Sequence, residues 1–91
     1  MDPFRDDHRV DVAGHDVAIT ATTGLVHAHW SLSLDGIEAD TAAAAGDFTL
    51  RTTLPDGSAL AAKVHQSLLG PTRVTVVHQD AEIASMRGFV A

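Results

Sequence analysis

The chain has 91 residues, no cysteine, and twelve acidic against six basic side chains, for a net charge of −6. That length makes one domain with a thin core, burying roughly 60–65% of the surface its unfolded form exposes. The missing cysteines exclude a disulfide staple and a thiolate metal site. The six cations, scattered at Arg5, Arg9, Arg51, Lys63, Arg73 and Arg87, form no basic stripe to release counterions from a nucleic-acid backbone.

Residues 1–7, Met-Asp-Pro-Phe-Arg-Asp-Asp, read as a polar flexible tail ahead of a single β domain over 8–91. The segment lacks the basic-then-apolar order of a signal peptide, and no apolar run is long enough to span a bilayer. The expectation is a cytoplasmic protein with neither a membrane nor a nucleic acid as partner. Beyond Asp6-Asp7 the acidic residues are dispersed along the chain, as a solubility feature would be.

From there the chain is punctuated by turn residues: Gly14, Gly24, Asp35-Gly36, Gly46, Pro55-Asp56-Gly57, Gly70-Pro71 and Asp80-Ala81. The intervals suit short antiparallel strands. A turn at Gly14-His15 sets Val12 against Val17 and Val10 against Ile19. One at Thr23-Gly24 sets Ala21 against Val26, Ile19 against Ala28 and Val17 against Trp30. Asp35-Gly36 sets Leu34 against Ile37 and Leu32 against Ala39. A Pro-Asp-Gly turn with Gly57 left-handed and followed by a bulge sets Phe48 against Val64, Leu50 against Ala62 and Thr52 against Leu60. All four sort the apolar residues onto one face. Thr41–Ala45 fits either a helical turn ending at Gly46 or a strand. In the last hairpin, Arg73–His78 with Glu82–Val90, adjacent Val76 and Val77 imply a strand covered on both sides.

The fold expected is therefore an all-β antiparallel meander of seven or eight short strands, closed as a small barrel or packed as a two-sheet sandwich. In hairpin rhythm alone it resembles lipocalin-like barrels and the eight-stranded modules of the Fas-apoptosis-inhibitory family. No residue motif ties it to either.

Few residues suggest chemistry. On a strand, His27 and His29 share one face, the spacing by which β proteins present two nitrogen ligands to a metal. A third ligand would come from Asp16, Asp40, His65 or His78; the plain alternative is two surface histidines on a polar face. His65 and Asp47 fall across from each other, either as a cross-strand pair or as an acid–base dyad. No nucleophile elbow, phosphate loop or dinucleotide pattern occurs, so no catalytic residue is named and no cofactor is expected. The chain reads more as a non-enzyme than as an enzyme.

The expected outward positions include Ala18, Thr20, His27, His29, Thr49, Thr53, Ala59 and Ala61, with Ala42 and Ala44 if that segment is a strand. They are small and weakly polar where solvent-facing strands normally carry Lys, Glu and Arg. Ala59 and Ala61, with Val77 and the adjacent Leu68 and Leu69 of the 66–72 loop, are the interface candidates. The functional expectation is a small binding or interaction module whose partner is itself or another protein, either self-associating or a subunit of a larger assembly. The alternative is a small-molecule binder or cofactor-free catalyst using the barrel interior, where Ala21, Ala28, Ala39 and Ala62 leave space and Trp30 lines it.

Overall fold

The computed structural model describes residues 5–22, 28–43, 46–66 and 72–89. Eight antiparallel strands follow one another: β1 (Arg5–Val12), β2 (His15–Thr22), β3 (His29–Leu34), β4 (Ile37–Ala43), β5 (Phe48–Thr53), β6 (Ala59–His65), β7 (Thr72–His78) and β8 (Ala81–Phe89). They form two four-stranded meanders, β1-β2-β3-β4 and β5-β6-β7-β8. β4 runs beside β5, and β1 beside β8, without a ladder between them. The sheets do not close into a barrel, and the sandwich is the form taken. β1 begins at Arg5, so Arg5–Asp7, expected in a tail, are paired with β2 instead.

Turn chemistry explains the hairpins. Ala13 and Gly14 have φ of 52° and 83°, Asp35 and Gly36 51° and 84°, and Gln79 and Asp80 52° and 64°. Two consecutive left-handed residues make a type I′ turn, whose twist matches that of its flanking strands. The β5–β6 connection runs Leu54-Pro55-Asp56-Gly57-Ser58. The Gly57 N–H bonds the Leu54 carbonyl at 2.9 Å and the Leu54 N–H bonds the Ser58 carbonyl at 2.9 Å. Gly57, at φ 88°, takes the left-handed step that ends a three-residue hairpin loop. That register is as the sequence implies: Phe48 faces Val64, Leu50 faces Ala62 and Thr52 faces Leu60.

Three expected registers are corrected. The first turn is Ala13-Gly14 and not Gly14-His15, so Val10 faces Val17 and His8 faces Ile19. Asp11 Oδ1 accepts the Gly14 N–H at 3.0 Å, which fixes that turn. Between β2 and β3 the slip is four residues: Ala21 faces Trp30, Ile19 faces Leu32 and Val17 faces Leu34. The Thr23-Gly24 turn itself lies outside the described residues. Leu34 does face Ile37, but a bulge after it sets Leu32 against Asp40. Ala39 is consequently exposed, not inward, and Ala42 packs against the core, not outward. The first two slips are even-numbered, so every apolar side chain keeps its face. Thr41–Ala43 is strand: pairing with Ser31, Trp30 and His29 outweighs a helix propensity too short to nucleate alone.

The core lies between the sheets. Val12, Val17, Ile19, Ala21, Trp30 and Leu32 come from the first, and Leu50, Leu60, Ala62, Val64, Val74 and Val76 from the second, with Leu54 from the β5–β6 turn. Each larger side chain among them contributes about 1.5–3 kcal/mol by leaving water. Trp30 meets Phe48 edge to face, with ring centroids 5.9 Å apart, and so spans both layers. Asp40 Oδ2 accepts the Arg51 N–H at 2.9 Å, a polar tie from β4 to β5.

Candidate functional site

The meander places the turns at 13–14, 35–36, 55–57 and 79–80 at one end of the sandwich, because alternate connections share an end. Polar side chains gather there. His15 Nδ1 lies 2.7 Å from Asp35 Oδ2, and Asp35 Oδ1 accepts the Asp16 N–H at 2.8 Å. The His15 hydrogen bond first, then the Asp16 amide, hold the Asp35 carboxyl below its ordinary range. In the β5–β6 turn, Asp56 Oδ1 accepts both the Ser58 hydroxyl at 2.5 Å and the Ser58 N–H at 2.8 Å. These two bonds lower its pKa, with smaller contributions from His78 and His15.

Ser58 Oγ also lies 2.8 Å from His78 Nε2, the separation of a serine–histidine dyad. The direction of the bonds argues against that chemistry. The hydroxyl hydrogen is directed at the Asp56 carboxylate, which can only accept, so the ring nitrogen must donate to Oγ. A nucleophilic serine needs the reverse, an imidazole that takes its proton. Ser58 is also only 7% exposed. The cluster secures two turns. Neither the dyad nor the His15–Asp35 pair was evident from sequence, because each joins turns that are distant in the chain; turn parity is the signal that points to their shared end.

His29 is exposed at the start of β3 and faces Thr22 and Ala43. It borders an open depression of about 500 Å³ with Ser31, Glu38 and Thr41. His27 lies outside the described residues, as do Leu68 and Leu69. Of the other expected ligands, Asp16 pairs with Arg9 at 2.7 Å, Asp40 caps Arg51, His65 meets Asp47 at 2.8 Å and His78 meets Ser58. Among the described residues no three His, Asp or Glu side chains are grouped to hold a metal. The His65–Asp47 pair forms as its register implies, but both side chains are more than half exposed, without the enclosure an acid–base dyad requires.

Trp30 and Ala62 are enclosed at 1% and 0% exposure, and Ala28 packs against the same core. Ala59, Ala61 and Val77 do come together. Ala59 and Ala61 alternate on β6 with buried Leu60 and Ala62, and Ala61 faces Val77 on β7. They floor a second open depression, of about 630 Å³, on the outer face of the second sheet, rimmed by Thr49, Arg51, Thr53, Lys63 and Asp80. Lys63 faces Thr49 and Arg51 faces Ala61, so the two cations stand at diagonal positions on β5 and β6 beside Ala61. Neither side chain forms an ion pair with a described residue.

Charge is divided between the sheets. Eight of the twelve acidic residues precede residue 44, with only Arg5 and Arg9, which places the whole −6 there. Residues 44–91 balance Asp47, Asp56, Asp80 and Glu82 against Arg51, Lys63, Arg73 and Arg87. No family model, curated protein or solved structure matches this chain.

Proposed function

We propose that this chain is a small non-enzymatic interaction module that docks a protein surface on the outer face of its second sheet. One observation carries the reading: Ala59, Ala61 and Val77 form a floor of small apolar side chains in an open depression, with Arg51 and Lys63 beside it, neither in an ion pair with a described residue. Ala59, Ala61 and Val77 occupy positions that on a solvated sheet face ordinarily carry long charged side chains, which discourage association; here those side chains are confined to the rim. Small residues instead let a second layer approach to the ~10 Å at which sheets pack. The absence of an activated nucleophile at Ser58 supports the non-enzymatic half.

Sedimentation velocity across a concentration series tests it. The wild type is expected to associate beyond its 9.5 kDa chain mass, and Ala61→Arg, which fills the floor, to shift the distribution to monomer. A wild type that stays monomeric throughout argues against self-association.

A further inference from the structure

We propose that the occupant of the second-sheet face is the first-sheet face of another copy, so that the chain stacks head to tail. The inference rests on the interaction-module reading and adds the partner. Strand alternation puts Asp7, Asp11, Asp16 and Glu38 on the outer face of the first sheet, with Arg9, paired to Asp16, among them and Arg5 at the same alternation on β1. Asp11 faces Asp16, Asp7 faces Thr20, and Glu38 faces Ser33. Between them lie Ala18, Thr20, Ser31 and Ser33, all half-buried and short, so this face too admits a close layer. The opposing outer face carries Arg51, Lys63 and Arg73, all exposed, against Glu82 and the rim residue Asp80. One side of the molecule is acidic and the other basic, which is the complementarity that orients two partners.

Size is sufficient. The Cα envelope measures 37 × 27 × 17 Å, and the broad face exceeds the ~800 Å² per partner of a standard interface. A symmetric contact of two second-sheet faces would bring together two faces of excess positive charge, Arg51, Lys63 and Arg73 against Asp80 and Glu82 on each, which disfavours it. A contact between unlike faces of one chain does not close on itself as a two-fold dimer. It builds open stacks or rings, so the expected species are successive multiples of the chain, dissociating as salt screens the charges.

Two double variants separate this from other contacts. Arg51→Glu with Lys63→Glu reverses the basic face and leaves the acidic one intact; Asp7→Lys with Glu38→Lys does the opposite. All four positions are exposed, and far-UV circular dichroism checks that each variant folds. Each variant alone is expected to associate at least about tenfold more weakly than wild type, a change of one decade in Kd. Mixed in equal amounts, they are expected to associate again in alternation, because the intact acidic face of one meets the intact basic face of the other and the two reversed faces are complementary in turn. If Asp7→Lys with Glu38→Lys alone still associates like wild type, the first-sheet face is not the occupant, though a second-sheet docking site survives. If wild type is monomeric at low salt and at every concentration, head-to-tail stacking and self-association both fail.

Discussion

Trp30 is 1% exposed on β3, and its edge-on contact with Phe48 of β5 ties one sheet to the other. Removing a buried Trp side chain costs about 3–5 kcal/mol, part transfer and part unfilled cavity. A domain of this length has about 5–14 kcal/mol in total, at ~0.05–0.15 kcal/mol per residue. Trp30→Ala is therefore expected to lower the urea midpoint severely, and Trp30→Phe to retain most of it. The opposite sign is expected at Ala13, which holds φ at 52° in the first turn. A left-handed alanine carries about 1–2 kcal/mol of strain. Asparagine tolerates that region, and Asn-Gly is a preferred type I′ pair. Ala13→Asn should gain about 1 kcal/mol, raising Tm by roughly 4–8 °C, as differential scanning calorimetry would show.

Among the elements, the turn end of the sandwich responds to pH through Asp35 and Asp56. Both carboxyls lie below their ordinary value of 3.8, held there by His15 and the Asp16 amide and by Ser58. A group whose folded pKa is depressed contributes fully above its unfolded pKa and loses that contribution as pH falls through the folded one. From these two groups the urea midpoint is expected to be flat from neutrality to about 4 and to fall below it. Asp56→Asn should shallow that fall, and an acid limb identical to wild type would contradict the linkage. The pattern of turns also explains how much of the fold was legible. Pro55-Asp56-Gly57 admits one loop geometry, and its register follows from sequence. Gly14 suits either of two turns, and the choice moved β1 by two residues without changing which side chains enter the core. The bulge that exposes Ala39 has no marker in the sequence. The small floor of Ala59, Ala61 and Val77 follows from strand alternation, whereas the Ser58–His78 contact depends on which turns share an end.

At the scale of the whole molecule, salt should act in opposite senses on folding and on association. Residues 1–43 hold the full −6, and Asp11 lies directly opposite Asp16 on paired strands of the first sheet. Like charges so placed repel and weaken the fold. Raising ionic strength from about 10 mM to 150 mM shortens the screening length from ~30 Å to ~8 Å. That relieves the repulsion inside one sheet and also erodes attraction between an acidic face and a basic one. Urea denaturation of dilute protein is therefore expected to show a higher midpoint with added sodium chloride, while sedimentation at high concentration shows smaller species. An association driven by the apolar floor alone would hold its strength through the same change, because burial of Ala59, Ala61 and Val77 involves no charge to screen. Measured on one preparation, the two curves separate an electrostatic stack from an apolar contact: a rising midpoint with weakening association supports the division of charge between the faces as the organising feature, and a rising midpoint with unchanged association assigns the contact to the small residues.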